Sequence, residues 1–90
     1  MLKIVASNRF RKALKAAARR GLDLAKLNAV VDALAAGQTL PPQNRDHELT
    51  GNYRSFRECH IAPDWLLIYR IEKDDLLLFL FRTGTHADLF

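Results

Sequence analysis

Apolar positions change period twice along this chain. Leu2-Lys3-Ile4-Val5-Ala6 alternates and carries β-branched residues, which predicts a short first strand. From Ser7 the spacing becomes helical: Phe10, Leu14 and Ala17 or Ala18 share one face, Ser7 caps the segment, and Gly21 stops it after about Arg20. Asp23 caps a second helix reaching about Ala36, with Leu24, Leu27, Val30, Val31 and Leu34 on one face and Gly37 as its stop. Two amphipathic helices joined by about two residues make an αα-hairpin.

Leu40-Pro41-Pro42-Gln43-Asn44-Arg45 is an extended connection that its prolines keep out of helix. After a turn at Gly51-Asn52, three strands are predicted in a meander: Tyr53–Ile61, Trp65–Glu72 and Leu76–Arg82. Ala62-Pro63-Asp64 and Lys73-Asp74-Asp75 connect them. The expected fold is α+β in the order βααβββ: a small antiparallel-type sheet with a two-helix hairpin on one face. Residues 1–90 are expected to form one domain.

The last two strands are apolar on both alternating faces, and one helical hairpin covers only one side of a sheet. Either a terminal segment folds over the second face or a partner chain covers part of it.

Composition narrows the classes. No apolar stretch approaches the ~20 residues needed to cross a bilayer. The N-terminus lacks a signal peptide's apolar core, and a single cysteine fits a reducing compartment, so a cytoplasmic location is expected, with no membrane partner. The net charge of +4 is unevenly placed. Lys3, Arg9, Arg11, Lys12, Lys15, Arg19 and Arg20 have no acidic neighbour within residues 1–20, whereas the rest of the chain sets seven basic groups against ten acidic ones. A basic first helix suits a polyanion or an acidic protein partner; a merely solvated face is the plainer alternative.

All three histidines fall in the sheet half: His47 before it, His60 at a strand end and His86 after the last strand. Cleaving RNA through its own 2′-hydroxyl needs a base, an acid and positive charge on the strained phosphate. Imidazoles, with an ordinary pKa of about 6.5, suit both proton-transfer roles. Arg82 offers a planar fork for phosphate. Asp64, four residues past His60 across Pro63, is placed to orient an imidazole or to serve only the turn. Phe90 is an aromatic for base stacking or a plug on the sheet. Cys59 adjoins His60, but consecutive strand residues face opposite sides, so Cys59 reads as a small buried residue. No pair of candidate ligands shows a tight metal-binding spacing, so neither a metal nor another cofactor is expected.

Three blocks, Asp46-His47-Glu48-Leu49-Thr50-Gly51-Asn52-Tyr53, Arg57 through Tyr69, and Arg82-Thr83-Gly84-Thr85-His86-Ala87-Asp88-Leu89-Phe90, resemble the YafQ branch of the RelE/ParE toxin superfamily. The resemblance is detailed over residues 46–90 and one of element order and length before them. It implies a RelE-like fold and a bacterial type II toxin: an endoribonuclease, or mRNA interferase, that cuts mRNA in the ribosomal A site without metal by the 2′-hydroxyl route. It implies neutralisation by a small antitoxin, typically of the ribbon-helix-helix type, and contact with operator DNA only through that complex. By the same likeness His86 is the leading general acid or base, Arg82 the phosphate contact and Phe90 the aromatic that seats substrate. His47, His60 and Asp64 complete the set. Two other functions fit such a fold: a ParE-like inhibitor of DNA gyrase, which needs no clustered imidazoles, and a nucleic-acid-binding module without catalysis.

Overall fold

The computed structural model, which covers residues 1–90, begins with strand β1 (Lys3–Ala6) and turns at Ser7 into helix α1 (Asn8–Arg19). The Ser7 hydroxyl accepts from the Phe10 N–H at 3.0 Å and donates to the Phe81 carbonyl at 2.6 Å. The side chain that caps the helix therefore also ties it to the last strand of the sheet. Gly21 and Gly37, both at φ +76°, make the left-handed turns that close α1 and helix α2 (Leu24–Ala35). Asp23 caps α2 by accepting from the Ala25 N–H at 3.0 Å.

The other strands are β2 (His47–Glu48), β3 (Arg57–Ala62), β4 (Trp65–Glu72) and β5 (Leu77–Gly84), and the chain ends in a one-turn helix α3 (His86–Leu89). Their spatial order is β1-β5-β4-β3-β2. Strands β3 to β5 pair antiparallel, as the meander predicts, and the short β2, outside that prediction, pairs antiparallel with β3. To this the structure adds one parallel pair, β1 with β5, in which Ile4 lies beside Leu78 and Ala6 beside Leu80. The helical hairpin carries the chain from β1 to the far edge at β2, and three reversals then return it alongside β1 running the same way.

Strand β2 and helix α3 lie outside the expected βααβββ order, and one predicted strand starts later than expected. Tyr53 to Phe56, predicted as the start of a strand, is instead a loop. Gly51–Tyr53 forms a one-turn 3-10 helix, Ser55 sits at φ +80°, and the strand begins at Arg57. The Leu49 N–H donates to the Phe56 carbonyl at 3.0 Å, so residues 49–56 form the loop of the β2–β3 hairpin.

Side chains of the two helices, among them Phe10, Leu27 and Leu34, pack on Cys59, Leu67, Tyr69, Leu78 and Leu80. Each fully buried leucine in that layer stabilises the fold by roughly 1.5–3 kcal/mol. The opposite face carries a smaller cluster of Leu66, Ile68 and Leu89, flanked by Leu49, Tyr53, Phe56 and Phe81. The apolar excess of β4 and β5 is thus met by the chain itself: the C-terminal helix folds back and buries Leu89, and the 49–56 loop covers the neighbouring area. No helix is long and apolar enough to cross a membrane.

Candidate active site

Sheet register brings distant residues into one row. His60 lies opposite Leu66 on β4, and Leu66 lies opposite Gly84 on β5, so His60 and the end of β5 share one end of the sheet. His86 follows Gly84 by two residues, and Asp64 occupies the turn between β3 and β4. On the outer side His47 of β2 lies opposite Glu58, which shares a face with His60 because strand side chains alternate.

The side chains meet accordingly. Asp64 Oδ1 accepts from His86 Nδ1 at 2.8 Å and from the His86 backbone N–H at 3.1 Å. These bonds, backbone first and then ring, hold the Asp64 carboxyl below its ordinary pKa. An ionised carboxylate only accepts, so Nδ1 carries the ring proton and Nε2 is left free. The His60 and His86 rings stand 5.7 Å apart at 60°. Glu58 Oε1 lies 4.0 Å from His60 Nε2 and 3.6 Å from His47 Nε2. His47 Nδ1 is 2.7 Å from the Arg45 carbonyl, which can only accept, so this ring also presents Nε2 inward.

Arg82 reaches the same end from β5. Its Nη1 donates to the Tyr53 hydroxyl at 2.6 Å and its Nη2 to the Asp88 carbonyl at 3.1 Å. Phe90, 63% exposed, meets the Tyr53 ring edge to face at 5.4 Å. The segment bearing His86 and Phe90 is held by a capping box: Thr85 Oγ1 accepts from the Asp88 N–H at 3.1 Å, and Asp88 Oδ2 accepts from the Thr85 N–H at 3.0 Å. The Thr85 backbone bond, aided by Arg20, lowers the Asp88 pKa as well.

His47, His60, Asp64 and His86 are therefore joined in one chain of contacts through Glu58, while Arg82 and Phe90 are joined through Tyr53. The two groups meet in the four residues of α3. The family model described as "Bacterial toxin of type II toxin-antitoxin system, YafQ" matches residues 2–90. The chain belongs to this YafQ toxin family. It is 40% identical over 85 residues to the mRNA interferase toxin YafQ of Escherichia coli K12, covering 93% of this chain and 90% of that protein. Among solved structures, a metal-bound toxin from Helicobacter pylori superposes with a TM-score of 0.95 at 48% identity, each chain fully covered. The E. coli DinJ–YafQ complex contains a chain that matches with a TM-score of 0.90 at 38% identity, over 100% of this chain and 99% of that one.

Two residues of this cluster carry no local mark in the sequence. Glu58 is only 5% exposed, and its Oε2 has no hydrogen-bond partner. A charged residue in a strand reads as solvent-facing, although its i, i+2 relation to His60 places both on one face. Tyr53 was read as a strand residue, and no local signal marks it as a partner of Arg82. Cys59 does lie on the other face, fully buried, where loss of water and then the charges of Asp46 and Glu58 push its thiol pKa up to about 12.

Hollows flank the cluster on both sides. One of about 370 Å³ borders His60, Lys26, Asn44 and Arg45, and another of about 310 Å³ borders Asp64, Arg82, Arg20 and Ala16. The Helicobacter relative is metal-bound, which puts the donor set of this chain to a test of geometry. Ligand nitrogens and oxygens sit about 2.0–2.2 Å from a zinc ion. No three His, Cys, Asp or Glu side chains converge as such a set in this YafQ-family chain. The residues as arranged do not fit a preformed metal centre.

Proposed function

We propose that this chain is an mRNA interferase: an endoribonuclease that cuts ribosome-bound mRNA by attack of the ribose 2′-hydroxyl on the adjacent phosphate. One observation carries the reading, the convergence of three imidazoles, a carboxylate and a guanidinium at one end of the sheet. An imidazole removes the 2′-hydroxyl proton, the oxygen attacks phosphorus, and the departing 5′-oxygen takes a proton from a second imidazole. The products are a 2′,3′-cyclic phosphate and a 5′-hydroxyl. His86, its Nδ1 proton held by Asp64, offers Nε2 for one of these transfers. His47 and His60, on either side of Glu58, are placed for the other. Arg82 keeps three of its five N–H groups for the phosphate after the two it gives to Tyr53 and Asp88. The exposed face of Phe90 stacks on a base.

A small antitoxin, of the ribbon-helix-helix type, neutralises the toxin, and the pair together contacts operator DNA. A solved E. coli DinJ–YafQ toxin-antitoxin complex supports an antitoxin partner. The basic residues of α1 are exposed and suit ribosomal RNA. The test is expression of wild type against His86→Ala: growth arrest and cutting at translated codons should both disappear in the variant. Undiminished cutting would refute the reading.

A further inference from the structure

Tyr53 takes part in no proton transfer, yet it touches two of the groups that the ribonuclease reading uses. Its hydroxyl accepts from Arg82 Nη1 at 2.6 Å and donates to the Leu89 carbonyl at 3.0 Å. The carbonyl can only accept and the guanidinium can only donate, so the direction of both bonds is fixed. The same side chain meets the Phe90 ring at 5.4 Å and the Phe81 ring at 6.2 Å, both edge to face. It is half-buried against the cluster of Leu66, Ile68 and Leu89.

An arginine side chain is long and rich in rotamers, and fixing it in one pose costs entropy. Two acceptors, the Tyr53 hydroxyl and the Asp88 carbonyl, hold the two terminal nitrogens and so set the plane of the fork. Both acceptors are tied to α3, the element that carries His86. We propose that Tyr53 is a positioning residue that holds Arg82 and Phe90 in register with His86, which makes the Gly51–Tyr53 turn part of the phosphate-binding apparatus. The inference rests on the ribonuclease function proposed above. Negative charge on the phosphate grows towards the transition state, so a displaced guanidinium slows the chemical step more than it weakens substrate binding.

The experiment measures cleavage of ribosome-bound mRNA by Tyr53→Phe, Arg82→Ala, the double variant, Tyr53→Ala and His86→Ala. Tyr53→Phe keeps the ring and removes only the hydroxyl. It should lower kcat by about tenfold or more with little change in KM, as small misplacements of reacting groups do. Added to Arg82→Ala it should cost nothing further, because the two act as one unit. Tyr53→Ala, which also frees Phe90, should raise KM as well. Wild-type kcat in Tyr53→Phe alongside an inactive His86→Ala overturns the inference, as does a Tyr53→Phe loss that simply multiplies that of Arg82→Ala. A fully active His86→Ala instead overturns the underlying ribonuclease reading, and the inference falls with it.

Discussion

Asp64 Oδ1 accepts two hydrogen bonds from His86, one from the ring and one from the backbone, across a separation of 22 residues. The turn at Pro63 and the register of β3, β4 and β5 make that contact, and it fixes both where the imidazole sits and which nitrogen carries its proton. His86→Ala should cost about 10²–10⁴-fold in mRNA cleavage, the usual worth of a positioned proton-transfer group. Asp64→Asn should lose part of that, and the double variant should be no worse than His86→Ala alone. Single-turnover kinetics on the set checks this; multiplying losses would mean that Asp64 acts elsewhere.

The acidic side of stability has a defined sign. Asp64 and Asp88 have folded-state pKa values below the ordinary carboxylate value of about 3.9. Their stabilisation is therefore complete above that value and is lost as pH falls through their lowered folded values. In an acid titration followed by NMR, the carboxylate-linked change in the His86 and Thr85 amide signals should come only below the ordinary carboxylate range. Asp64→Asn should abolish the transition at His86, and Asp88→Asn the one at Thr85. Midpoints above about 3.9 would contradict the bonding described.

Gly84 sits where a side chain has no room. A Cβ there would lie 2.9 Å from both Cβ and Oδ2 of Asp88, the carboxylate that closes the capping box of α3. Gly84→Ala should push Asp88 out of the cap and cost about 0.5–2 kcal/mol, the usual worth of a helix cap. Because α3 also carries His86, cleavage should fall too. Thermal unfolding and activity of this one variant should decline together; wild-type values for both would show that Asp88 shifts without consequence.

The helical half was legible because its signals are local. Ser7 and Asp23 cap, Gly21 and Gly37 stop, and the apolar spacing between them fits only helix. The six residues were legible as candidates, since three imidazoles, a guanidinium, a carboxylate and an aromatic ring declare their chemistry by type. What joins them was not. Glu58 and Tyr53 acquire their roles from register and from a loop closure that no short stretch specifies. Tyr53-Arg54-Ser55-Phe56 carries two aromatics of the kind strands favour, but both belong to a loop that covers the second sheet face. The parallel β1–β5 pair depends on contacts more than seventy residues apart, beyond any local pattern. The spacing Thr85–Asp88, by contrast, is a local capping-box pattern that marks α3, although the expected order contains no such helix.

Cys59 provides a chemical probe of the fold. It is fully buried in the helix-side layer, with its thiol pKa raised to about 12. A thiol-specific reagent near pH 8 should leave the native protein unlabelled and modify it stoichiometrically in denaturant. Rapid native labelling would mean that the β3–β4 region opens readily.

The proposed mechanism is attack by the RNA's own 2′-hydroxyl, driven by imidazoles gathered from three parts of the chain. Its most direct test is an mRNA carrying a single 2′-deoxy nucleotide at the scissile position, presented in the ribosomal A site beside an all-ribose control. The control should yield a 2′,3′-cyclic phosphate and a 5′-hydroxyl, and the deoxy substrate should remain intact; cleavage of the deoxy substrate at the same bond would contradict the account.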